Sequence, residues 1–143
     1  MNLIEKKINL FKTPEDYALA HCVSRDFKMG AGIARQFRKL YPDMASYCLA
    51  QKPKVGSAVK YQANNRTIFN LVTKNRYYQK PTYHALEKSL AHMKSQILSS
   101  QGITKLAMPL IGCGLDKLVW SKVAQIIKDT FKDTNIEILI CRL

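Results

Sequence analysis

The chain has 143 residues, 47% of them hydrophobic, and a formal net charge of +13; that is enough apolar sequence for one domain with its own core, and it excludes a disordered chain. No apolar run reaches the length of a membrane span, and the start, Met1-Asn2-Leu3-Ile4-Glu5-Lys6, lacks the apolar segment of a signal peptide, so a cytoplasmic location is expected. Four scattered cysteines, Cys22, Cys48, Cys113 and Cys141, form no Cys-x-x-Cys pair and read as free thiols with no metal to hold.

Leu3 to Leu10 reads as a first strand, followed by a Thr-Pro turn. Tyr17 to Val23 is a continuous apolar run, as expected of a strand covered on both faces. A polar loop, Ser24 to Met29, closes on Gly30-Ala31-Gly32. A helix follows, with Ile33, Ala34, Phe37 and Leu40 on one face, and Pro42 stops it. A short helix is expected over Met44 to Gln51. Val55 to Tyr61 and Thr67 to Thr73 read as strands joined through Asn64-Asn65, the second ending directly on Lys74. After Pro81, Leu86, Leu90, Met93 and Ile97 make one apolar stripe of a helix, with Thr82 placed to cap its start and Gly102 to end it. Ile103 to Leu110 is a short buried strand. A glycine loop, Ile111-Gly112-Cys113-Gly114-Leu115-Asp116, leads into a helix bearing Trp120, Val123, Ala124, Ile127 and Phe131, and Ile136 to Cys141 is the last strand.

The order β-β-α-α-β-β-α-β-α-β, with no repeat or linker, implies one α/β domain over 1–143, with three layers, α/β/α, around a central mixed sheet. Ligands of such folds gather beyond the carboxyl ends of the strands. Both Gly-x-Gly loops and Lys74 fall at such ends, and a glycine loop before a helix suits an anion, phosphate above all. Asp116 sits awkwardly there, since a carboxylate repels phosphate. It reads either as a favourable charge near a helix start or as a general acid or base. Lys74 reads either as a surface lysine or as a nucleophilic amine exposed by partial desolvation, able to form a Schiff base. His21 reads as a hydrogen-bonded strand residue, His84 and His92 as helix surface, and Met29, Met93 and Met108 as packing residues. Cys113 lacks a nearby histidine base. The net charge implies attraction to polyanions, with possible non-specific nucleic-acid binding; a solvated basic surface is the plainer reading, because the charges form no dense tail or motif.

Taken together, His21-Cys22-Val23-Ser24, Met29-Gly30-Ala31-Gly32-Ile33-Ala34, Thr73-Lys74, Lys80-Pro81-Thr82-Tyr83 and Pro109-x-Ile111-Gly112-Cys113-Gly114-Leu115-Asp116 resemble the macrodomain family. Within it the likeness is to the terminal ADP-ribose protein glycohydrolase branch, whose relatives include DNA-ADP-ribosyl glycohydrolase antitoxins. The resemblance implies ADP-ribose as ligand and no cofactor. It implies that Lys74 attacks the anomeric carbon of the distal ribose while Asp116 assists proton transfer and release of the lysine adduct. It further implies a binding site formed by Asn9, Leu10, His21, Ser24, Met29, Gly30, Gly32, Ile33, Thr73, Pro109, Leu110, Ile111, Gly112, Cys113, Gly114, Leu115 and Leu143. The expected partners are ADP-ribosylated protein or DNA, and the expected state is a monomer. One departure is visible: the family commonly has Gly-Asp before the leucine of the first strand, where this chain has Ile8-Asn9 before Leu10. Asn9 offers a carbonyl oxygen to adenine but no charge.

Overall fold

Alternating strand faces and amphipathic helices place the core on both sides of one sheet. The computed structural model describes residues 1–100 and 102–142. Their elements are β1 (Asn2–Lys7), β2 (Ala18–Ser24), α1 (Gly32–Leu40), α2 (Met44–Ala50), β3 (Ala58–Gln62), β4 (Thr67–Lys74), α3 (Tyr83–Ser99), β5 (Lys105–Met108), α4 (Trp120–Phe131) and β6 (Glu137–Arg142). The strands form a single mixed sheet in the order β1-β6-β5-β2-β4-β3. The pairs β1·β6, β6·β5, β5·β2 and β2·β4 are parallel, and β3 is an antiparallel edge.

Because strand side chains alternate between faces, each central strand serves two cores. In β6, Ile138 and Ile140 join the core with Leu86, Leu90 and Met93 of α3 and Val123, Ile127 and Phe131 of α4. Leu139 and Cys141 join the opposite core with Phe37 of α1 and Met44 and Cys48 of α2. This is the three-layer α/β/α arrangement expected from the element order. Thr82 caps α3, its hydroxyl accepting from the Ala85 amide at 3.0 Å, and Gly102, at φ +103°, lies just past the end of that helix.

The first strand is shorter than its apolar pattern suggests. It ends at Lys7, and Leu10–Lys12 form a 3-10 turn. The cause is Asn9, whose Oδ1 accepts from the Phe11 amide at 2.9 Å; a short polar side chain offers the backbone an alternative to the ladder. The fifth strand stops at Met108, before Pro109, which has no amide to donate.

The topology creates the site. From β2 the chain runs through α1 towards one edge, and from the adjacent β5 it runs through α4 towards the other. The two connections part at the carboxyl ends of neighbouring parallel strands, which opens a crevice between them. One irregularity sharpens its floor. Val23 pairs with Val72 but Ser24 pairs with Lys74, so Thr73 is an extra residue in β4. Such a bulge turns the following side chain away from plain alternation, and that side chain is Lys74.

Candidate active site

The loop after β2 is held in an uncommon backbone shape. Phe27 and Met29 both have φ of +50°, a conformation that costs a side-chain-bearing residue about 1–2 kcal/mol. Both rings of contact that hold them are visible: their side chains are buried in the core, and the Phe27 amide donates to Ser24 O at 2.9 Å. Asp26 completes the loop by accepting from the Ser24 hydroxyl, from the Lys28 amide (3.2 Å) and from the Tyr77 amide (3.1 Å). Burial pushes the Asp26 carboxyl up, but these three hydrogen bonds and Arg76 outweigh it and hold it below the usual carboxylate range. The loop ends at Gly32, φ +59°, where α1 begins. Its N-cap, Ala31, has no polar side chain to offer, so first-turn amides remain for an anion.

The loop after β5 is a chain of tight turns. Its internal bonds use the amides of Ile111, Cys113, Lys117 and Leu118; those of Gly114, Leu115 and Asp116 take no part in them. The helix α4 starts only at Trp120, after an extended Val119. The expectation that this loop opens directly onto a helix N-terminus is therefore corrected: any anion here meets turn amides. The same spacing removes Asp116 from the start of α4, so it is no helix-start charge.

Instead, Asp116 Oδ1 accepts from Lys74 Nζ at 2.7 Å, with the two side chains 14% and 17% exposed for Lys74 and Asp116. Of the two readings of Lys74, the freely exposed surface lysine does not hold: the side chain is largely enclosed and forms an ion pair bridging β4 and the glycine loop. It stands in a crevice of about 710 Å³ whose lining includes His21, Ser24, Met29, Gly30, Gly32 and Ile33 on one wall and Pro109 to Asp116 on the other. The crevice therefore brings together all but four of the expected site residues. Asn9, Leu10 and Thr73 are not in its lining: Asn9 caps its turn, Leu10 is in the core and Thr73 is a buried bulge residue. Leu143 lies outside the described residues. Sequence reasoning missed the remaining lining residues: Cys22, Val23, Lys28, Ala31, Ala34, Gln36 and the Tyr77 to Lys80 segment. The last had a usable signal, an aromatic-basic run directly after Lys74.

His21 is fixed by its neighbours. Asn70 donates its amide to Val59 O at 3.1 Å, so its Oδ1 faces His21 Nε2 at 2.6 Å and must accept a proton from it. The ring is neutral, stacked 3.8 Å from Phe37, and its other nitrogen, Nδ1, is a buried acceptor without a partner. Burial drives the His21 pKa down to about 4. In the unfolded chain the imidazole titrates near its ordinary value, so between those two pH values the unfolded state binds more protons. Stability from His21 is full above about pH 6.5 and falls as the pH drops towards 4. Urea unfolding should lose about 3 kcal/mol across that window, and His21→Asn should flatten this part of the profile; an equally steep profile in the variant would contradict the assignment.

Cys22 is no nucleophile, since burial first and the Asp116 charge second push its thiol up to about 12. Burial also raises Cys113, whose thiol donates to Ile111 O at 3.3 Å.

The glycines divide by role. At Gly112, φ +72°, a Cβ would lie 2.8 Å from Leu118 Cδ1. At Gly114 a Cβ would meet nothing within 4 Å. Gly112→Ala should cost about 1–3 kcal/mol in unfolding measurements. Gly114→Ala should change stability by no more than about 0.5 kcal/mol while weakening ligand binding, because its methyl group enters the crevice. Equal destabilisation by the two would refute this division.

The macro domain family profile matches residues 20–127. The human protein named ADP-ribose glycohydrolase OARD1 is 44% identical over 137 residues, covering 96% of this chain and 89% of its own. The protein of Thermus aquaticus named DNA ADP-ribosyl glycohydrolase is 27% identical over 132 residues, covering 87% of this chain and 36% of its own. The solved macrodomain of Thermus aquaticus DarG superposes with a TM-score of 0.87 at 25% identity, covering 99% of this chain and 98% of its own. With the profile spanning both glycine loops, Lys74 and Asp116, the chain belongs to the macrodomain family.

Proposed function

We propose that this protein is an ADP-ribosylhydrolase that takes ADP-ribose from glutamate-linked protein, from O-acyl-ADP-ribose or from DNA bases through a covalent intermediate on Lys74. The observation that carries the reading is the Lys74–Asp116 pair, 2.7 Å apart inside a crevice walled by two loops with available amides. The similarity to relatives named as ADP-ribose glycohydrolases supports it. The diphosphate lies against the start of α1 and the turn amides of the second loop, and the distal ribose reaches the ion pair.

Lys74 reaches the reactive state by passing a proton to Asp116. Its amine attacks the anomeric carbon, the bond from that carbon to the carrier oxygen or nitrogen breaks, and the carrier leaves with the electron pair. A base departs with the proton that Asp116 took from Lys74; a carboxylate departs as the anion, and Asp116 releases that proton to solvent. Asp116, a carboxylate again, accepts a proton from the water that adds to the same carbon, the carbon–nitrogen bond to Lys74 breaks with its electron pair going to nitrogen, and Asp116 returns the proton to the freed amine. The sum is hydrolysis. The chain works as a monomer, and its free cysteines fit a reducing compartment such as the cytoplasm. The direct test offers glutamate-linked and DNA-linked ADP-ribose to the purified protein; release from at least one is expected, and release from neither while ADP-ribose binds would overturn the reading.

A further inference from the structure

The segment that follows Lys74 is more exposed and more aromatic than a connecting loop requires. Tyr77 and Tyr78 are 54% and 69% exposed, with ring centroids 5.4 Å apart and planes at 89°. Lys28 Nζ lies 5.4 Å from the centre of the Tyr77 ring, which leaves the Tyr78 ring as the open face. The pair is held in place. Tyr77 N donates to Asp26 at 3.1 Å, Arg25 Nε to Asn75 Oδ1 at 2.5 Å, and Arg76 N to Gln79 Oε1 at 2.8 Å. Lys80 Nζ donates across the mouth to Leu115 O at 2.8 Å.

Charge surrounds these rings with one sign. Arg25, Lys28, Arg76 and Lys80 are exposed, and among the described residues none is in an ion pair. The two acids nearby are both engaged, Asp26 by the Ser24 hydroxyl and two backbone amides and Asp116 by Lys74. Cations alone would suit an acidic peptide as well as a phosphodiester chain. Fixed, exposed rings beside them add nothing for a carboxylate, but they are what an unstacked base needs.

We infer that Tyr77 and Tyr78, with Arg25, Lys28 and Arg76, form a platform at the crevice mouth that binds the single-stranded nucleic acid carrying the ADP-ribose, stacking a flanking base on Tyr78. This rests on the proposed hydrolase reading and names its carrier. A duplex does not fit the requirement, because its bases are stacked on one another and hide their faces.

The test has two arms. In the first, fluorescence anisotropy follows unmodified oligothymidylate binding to the wild type, to Tyr77→Ala/Tyr78→Ala, to Tyr77→Phe/Tyr78→Phe and to Arg25→Ala/Arg76→Ala. The alanine pair should weaken binding about tenfold, the phenylalanine pair should retain it, and the arginine pair should lower the slope of log K against log salt by about 1.4. In the second, KM is compared for release from an ADP-ribosylated single strand and from a glutamate-linked ADP-ribosyl peptide. The alanine pair should raise the first at least about tenfold more than the second. Unchanged oligonucleotide affinity in the alanine pair, equal rises of KM for both carriers, or better competition by oligoglutamate than by oligothymidylate would each overturn the platform. Failure of the hydrolase reading looks different: the wild type releases nothing, while oligonucleotide binding still responds to the two tyrosines.

Discussion

Lys74→Ala is expected to lower ADP-ribose release by roughly a thousandfold or more, about 4 kcal/mol of barrier, while ADP-ribose affinity by calorimetry stays within a few-fold. The reason is chemical. In the proposed mechanism Lys74 supplies the electron pair for the covalent step, and no neighbouring thiol replaces it, because burial pushes the Cys22 and Cys113 thiols up. Lys74→Arg sharpens the test. A guanidinium keeps the positive charge beside Asp116 but stays protonated and is no nucleophile. Equal loss in both variants identifies covalent catalysis; substantial activity in the arginine variant would mean that Lys74 serves only as a charge. Full activity in the alanine variant would leave a binding module without the proposed chemistry.

Asp116→Asn is expected to reduce turnover by about 10²–10⁴-fold, the range for loss of a positioned acid or base. It keeps the size of the side chain and an oxygen for the 2.7 Å contact with Lys74, so the fold of the glycine loop should persist. What it removes is the carboxylate that, in the proposed mechanism, takes a proton from Lys74 and later from water. If the second role is the slower in the variant, the lysine adduct accumulates, and intact-protein mass spectrometry after borohydride reduction should detect ADP-ribose attached at Lys74. Undiminished turnover would remove Asp116 from the reaction.

Much of this was legible before any coordinates. The spacing of Leu86, Leu90, Met93 and Ile97 places one face of α3 in the core, and the unbroken apolar run before Ser24 marks a strand with helices on both sides. The positions of the loops also followed from local chemistry, since glycines and prolines set where strands stop. Where the sequence misled, a side chain was competing with the pattern. Asn9 accepts from the Phe11 amide, so the strand expected to run to Leu10 ends early in a capped turn. The helix begins at Trp120, where its apolar spacing begins, but turn and extended backbone separate it from the glycine loop, so the loop's amides are turn amides rather than a helix start.

By itself the sequence determined the layers, the order of the elements and the resemblance that singled out Lys74 and Asp116, because these depend on local periodicity and short motifs. Only the tertiary structure decided that the two residues, 42 positions apart, touch. That contact needs β2 to sit between β4 and β5 and needs the extra residue Thr73 to turn Lys74 at the end of its strand. Strand pairing is a long-range choice that no local pattern encodes, and a bulge is visible only against its partner strand. The glycine loop owes its setting to the same cause: alone it is a turn with a misplaced carboxylate, and opposite Lys74 it is one wall of a crevice with that carboxylate in an ion pair.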